Sequence, residues 1–195
     1  MMKQGRILLI RRSFDFRSKR FIRELTDMLK SYNIQVATQT TNFIICHFRK
    51  HHTYDLAIGI DFFRDFNDGA AVTVNSRASK LSLQFAYSLS STLDDFTPTI
   101  RWRGFNFVSS YDRNWFKFFN GVSADSKLIF YLCTLTNRNE VECFDNEHKN
   151  IEQAFASEIV RYIRNASDAE RYVRQSQIAR VNMRRFMKKK KNSTK

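Results

Sequence analysis

Three strand-length runs with almost no polar position constrain this chain more than anything else in it. They are RILLI (residues 6–10), YDLAIGIDFF (54–63) and KLIFYLCTL (127–135). A strand with one face in water alternates apolar and polar residues, so an unbroken apolar run belongs to a strand covered on both faces. Between the runs the period changes. Phe21, Ile22, Leu25, Met28 and Leu29 fall at helical spacing, with Ser18 or Asp15 available as a cap. Ala78, Leu81, Phe85 and Leu89 form a second stripe on a helix expected to start near Ser76, and Ile151, Phe155, Ile159 and Ile163 form a third. NIQVATQT and AAVTVN read as further strands, and TNFIICHFRKHHT as a helix. Strands alternating with helices predict an α/β domain with a mostly parallel central sheet flanked by helices.

Charge divides the chain. The formal net charge is +14, yet residues 161–195 alone hold twelve Lys or Arg against two acids. The expected organisation is an α/β domain over residues 1–165 and a basic tail over 166–195. That tail reads as a helix capped by Asp168 with a disordered lysine-rich end. The basic balance calls for an anionic partner: nucleic acid, an acidic surface or a wall polymer. Cys46, Cys133 and Cys143 lack paired spacing and read as reduced thiols. No run approaches the roughly 18 apolar residues of a membrane span. The chain is therefore expected in the cytoplasm, without a membrane span.

Catalytic patterns are sparse. There is no glycine-rich phosphate loop and no nucleophile elbow. Cys46, His47, His51 and His52 lie close together, and His47 and His51 would share a helix face. Arg49 and Lys50 between them would repel a cation. No metal and no cofactor is expected.

In parallel sheets the working residues sit where strands end. The stretches following the apolar runs, together with the order of elements, resemble the zinc-dependent N-acetylmuramoyl-L-alanine amidases of bacteria and their phages. YDLAIGIDFF is similar to that family's central strand, and FYLCTLTNRNEVECF with IEQAFASEIVRYI to its last strand and closing helix. VNSRASKLSLQFAYSLSSTL and RWRGF are similar to its middle helix and the Arg-Gly that follows. The resemblance spans about residues 6–164 and implies an amidase-like fold. It also implies a zinc site of two His and one Glu, with a further Glu as general base. Carried onto this chain, the first His position falls at Ser13, the second at Asp61 and the catalytic Glu at Tyr131, with the ligand Glu near Asp15. The resemblance thus implies a fold kept and a hydrolase site degenerated.

With chemistry set aside, a basic and aromatic surface remains. It predicts a non-catalytic nucleic-acid-binding protein, RNA or single strands favoured. Arg11, Arg12 and Arg17 follow the first strand. Arg101, Trp102, Arg103, Arg113 and Trp115 would supply cations and stacking rings, the two Trp being expected at the surface. Arg174, Arg180, Arg184, Arg185, Lys188 and Lys189 would grip phosphates from the tail. The alternatives are a peptidoglycan-directed amidase-like lysin, and a scaffold that binds an acidic protein partner.

Overall fold

A computed structural model describes residues 5–11, 16–41, 53–64, 69–109, 111–119 and 121–192, except the side chains of Phe96 and of residues 166–192. Ten elements follow in chain order: β1 (Arg6–Arg11), α1 (Phe16–Ser31), β2 (Gln35–Thr40), β3 (Thr53–Phe63), β4 (Ala70–Asn75), α2 (Lys80–Phe96), β5 (Trp102–Val108), α3 (Arg113–Phe119), β6 (Ser123–Thr134) and α4 (Arg138–Asn192). The six strands form one sheet in the order β2-β1-β3-β6-β4-β5. β1 lies parallel to β2 and to β3, β3 to β6, and β4 to β5; only the β4–β6 pair is antiparallel. The mostly parallel α/β sheet expected from the apolar runs is therefore present. TNFIICHFRKHHT, Arg12, Ser13, Asp15 and the Cys46/His47/His51/His52 group fall outside the described residues, apart from Thr41 and Thr53 at the ends of that stretch.

The apolar runs are apolar throughout because each strand feeds two cores. Ile7, Leu9, Leu56, Ile58, Ile60, Phe62, Leu128 and Phe130 meet α1, α2 and α4 on one face. Leu8, Ile10, Ala57, Ile129 and Tyr131 meet Trp115, Phe118 and Phe119 on the other. α3 packs so closely that a Cβ on Gly59 would lie 2.7 Å from Phe118 Cδ1. Glycine at that strand position is what lets the Phe118 ring lie against the sheet.

Helix ends follow local chemistry. α2 starts four residues after the position expected, because Ser79 accepts from Ser82 N at 3.1 Å and acts as its cap. Asn137 does the same for α4, accepting from Asn139 N at 3.1 Å. α4 then runs unbroken past residue 166, so Asp168 lies inside the helix rather than at a new start. β5 and α3 were not legible in the aromatic stretch that contains them. Among the described residues no helix is long and apolar enough to cross a membrane.

Candidate functional site

The ends of β1, β3 and β6 meet the starts of β4 and β5 along one edge of the sheet, because β4 and β5 run opposite to the other four strands. Asp61 on β3 sits in register beside Tyr131 on β6. Asp61 is 1% exposed and Tyr131 7%. Past this pair the register slips, so that Phe63 faces Thr134. The Phe63 ring lies on the Tyr131 ring with centroids 4.3 Å apart and planes 9° apart. Arg103 from β5 completes the stack, its Cζ 5.4 Å from the Phe63 centroid.

Arg103 reaches this position through a bulge. Ala70 pairs with Trp102 but Val72 with Phe105, so two residues of β5 oppose one of β4. Gly104 absorbs the irregularity with φ +79°. The bulge sends Trp102 and Phe105 to the α2 side, where both pack on the larger core, and leaves Arg103 aimed at Phe63. Arg103, expected among the phosphate contacts, lies instead over the Phe63 ring. The glycine directly after Arg103 was the available signal.

Glu140 lies behind this edge and is 1% exposed. Its Oε2 accepts from Thr134 N at 2.8 Å and its Oε1 from Asn137 Nδ2 at 3.2 Å. It is committed to the β6–α4 turn. Arg11 ends β1 beside Ile60, half-buried, and Arg64 is exposed just beyond Phe63. The edge thus gathers a buried carboxylate, a phenol, an aromatic stack and guanidinium groups. Asp61 keeps both carboxylate oxygens buried and Tyr131 is covered by Phe63, so the guanidinium groups are what this edge offers to a carbonyl or carboxylate.

The site residues expected for nucleic acid do not form one surface. Trp115 is 5% exposed and packs on Phe119 with centroids 4.7 Å apart, so it is core. Trp102 is half-buried and its Nε1 donates to Thr97 Oγ1 at 3.3 Å. Trp115 is therefore closed to a base, and Trp102 packs on the larger core with its N–H already engaged. Arg17 donates to Asp145 at 2.8 Å and joins Arg20 in tying α1 to α4. Burial pushes the Asp145 carboxyl up, but the hydrogen bonds and charges of both arginines outweigh it and hold that carboxyl below its usual value. Arg101 and Arg113 are exposed. The side chains of Arg174, Arg180, Arg184, Arg185, Lys188 and Lys189 lie outside the described residues.

A zinc site would need three or more donors on one centre. Among the described residues no three His, Cys, Asp or Glu side chains are grouped to hold a metal. At this edge Asp61 is one oxygen donor, Glu140 is taken by its turn, and Cys133 faces the larger core. The described donors do not fit the metal that the resemblance implies, and no chemical step is derived through one.

No protein-family model matches the sequence, and no curated protein matches it. Solved structures do match the fold. The catalytic domain of the CD27L endolysin targeting Clostridia difficile superposes with a TM-score of 0.61 at 13% identity, over 83% of this chain and 98% of that one. N-acetylmuramoyl-L-alanine amidase AmiC2 of Nostoc punctiforme gives 0.57 at 13% identity, over 83% and 99%. The N-acetylmuramoyl-L-alanine amidase from Clostridium difficile 630 gives 0.55 at 15% identity, over 85% and 98%. At such identities the likeness defines an amidase-like fold. It overturns the nucleic-acid reading: the fold neighbours are an endolysin catalytic domain and N-acetylmuramoyl-L-alanine amidases, while of the rings meant to stack on bases Trp115 is packed inside and Trp102 is half-buried.

Proposed function

We propose that this chain is a peptidoglycan-directed protein that grips the wall polymer at the carboxyl edge of its sheet and does not cleave it by metal-assisted hydrolysis. The observation that carries the reading is the extent of the fold match, which takes in 98% of an endolysin catalytic domain. The edge chemistry supports it. Wall peptides carry carboxylates, and Arg103 and Arg11 place guanidinium groups along this edge. The net charge of +14 supports it again, since wall polymers are anionic. Tyr131 beside Asp61 supports the absence of cleavage, because a phenol there supplies no carboxylate base.

Cosedimentation of the full chain with purified peptidoglycan sacculi, with assay of newly freed peptide amino groups, tests both halves. Saturable sedimentation without amide release is expected, with or without added zinc. Failure to sediment refutes the wall reading. Release that zinc supports and a chelator abolishes refutes the non-cleaving half.

A further inference from the structure

Among the described residues Phe21, Phe62, Phe130, Phe144 and Phe155 are fully buried, whereas Phe16, Phe107 and Phe116 are exposed. Of the exposed rings, Phe107 on β5 at 61% and Tyr87 on α2 at 67% stand on either side of one further ring. Phe105 lies between them, half-buried. The Tyr87 and Phe105 centroids are 6.4 Å apart with planes 11° apart, and Phe105 and Phe107 are 6.4 Å apart with planes 33° apart. Strict alternation from Trp102 would have turned Phe105 and Phe107 to the opposite face. The bulge at Arg103–Gly104 brings them onto the α2 side, next to Tyr87. Keeping Tyr87 and Phe107 in water forgoes the burial that large aromatics ordinarily gain; with Phe105, which packs on the core between them, they form a continuous row that marks a surface with an occupant.

We propose that the Tyr87–Phe105–Phe107 row is a platform for the glycan strand of a wall polymer, with N-acetylhexosamine rings lying face-down on it. This rests on the peptidoglycan-directed reading above and assigns the sugar portion of that ligand to a new place. A pyranose turns axial C–H groups, slightly positive, toward one side, and an aromatic face is negative, so the two flat surfaces attract. The hydroxyl and acetamido groups project sideways, where Gln84, one helical turn before Tyr87, is exposed. A second copy of this chain fits less well. It would have to pair along the β5 edge, where the bulge interrupts a regular strand, and it would bring a second +14 charge. β5 also joins the two regions: Arg103, its second residue, lies at the carboxyl edge on the Phe63 side, and the rings follow within four residues on the α2 side. A polymer held at the edge would reach the row by crossing the outer rim of β5.

The test uses a pentamer of N-acetylglucosamine as the probe, titrated calorimetrically into the full chain and into the Tyr87→Ala/Phe107→Ala double variant. Sacculus sedimentation and oligomeric state by analytical ultracentrifugation run in parallel. Both rings are exposed, so the variant keeps the parent's thermal stability. The parent is expected to bind the pentamer and the variant to bind it about tenfold more weakly or worse. An unchanged affinity in the folded variant, or no pentamer binding by the parent, overturns the platform even when sacculi are bound. Ring-dependent pentamer binding by a chain that ignores sacculi upholds the platform and removes the wall reading. A parent dimer that the variant dissolves, with no sugar affinity, assigns the row to a second copy and overturns the proposal.

Discussion

Replacing Glu152 by glutamine should stabilise this protein, and increasingly so as the pH rises. Glu152 lies on α4 against α1 and is 2% exposed. Burial is the main reason its carboxyl is pushed up to about 8; the charge of Glu24 and a hydrogen bond with Glu24 add to this, while Arg20 and Lys149 pull it back. Around the pair, Arg23 Nη2 lies 3.2 Å from Glu24 and His148 Nε2 lies 3.9 Å from it. At neutral pH the folded protein therefore holds a proton on Glu152 that the unfolded chain, titrating near 4.5, has released. The raised value means that stability is whole below pH 4.5 and falls as the pH climbs through the window to about 8. At about 1.4 kcal/mol per unit the loss reaches roughly 5 kcal/mol at the top of the window and roughly 3 kcal/mol at pH 7. The amide introduced by E152Q would keep a donor toward Glu24 and remove the ionisation. Urea unfolding of parent and E152Q at pH 5, 6, 7, 8 and 9 should give midpoints that diverge from near coincidence. A gap that stays constant across that series would show Glu152 already ionised in the folded state and refute the reasoning.

Gly59→Ala forces a methyl to 2.7 Å from Phe118 Cδ1 and should cost about 1–3 kcal/mol, read as a lowered denaturant midpoint. Asp145→Asn removes a carboxyl whose value is held down by Arg17 and Arg20. The parent should lose stability as the pH falls below the ordinary carboxylate range, and the variant should not; at this partly exposed pair the difference should stay within about 1 kcal/mol in acid melts. Removing residues 166–195 should leave a cooperative thermal transition, since the described core ends at Ile163, and should weaken sacculus sedimentation most at low salt.

The central sheet was legible because burial on both faces writes itself as unbroken apolar runs, and Ile58, Ile129 and their neighbours have no other reason to be apolar. The edge elements were not. β5 mixes Arg103, Gly104 and Asn106 with its rings, since an edge strand with a bulge obeys no simple period. Trp115 beside Arg113 read as a surface ring, but α3 turns that side of its helix to the sheet and leaves Arg113 in water. Asp61 and Tyr131 were expected at the carboxyl edge from the order of strands, and they lie side by side on β3 and β6. The Phe63 stack was out of reach, because it joins residues from β3, β5 and β6 that only tertiary packing brings together. The Glu24–Glu152 pair was hidden for the same reason: two acids 128 positions apart look like ordinary solvated charges until two helices pack.

The reversal of β4 and β5 has a consequence for how such a protein can diversify. β1, β3 and β6 deliver residues to the working edge only as they finish, and each of those residues is anchored in a strand that the core cannot spare. The segment from Thr97 to Arg103 arrives from the opposite direction, as a beginning, on the outermost strand of the sheet. Thr97, Ile100 and Trp102 tie it to the interior, while Pro98, Thr99, Arg101 and Arg103 are exposed. Exchanges at those exposed positions can therefore alter what the edge accepts without disturbing β1, β3 or β6, and ligand preference can drift while the framework stays constant.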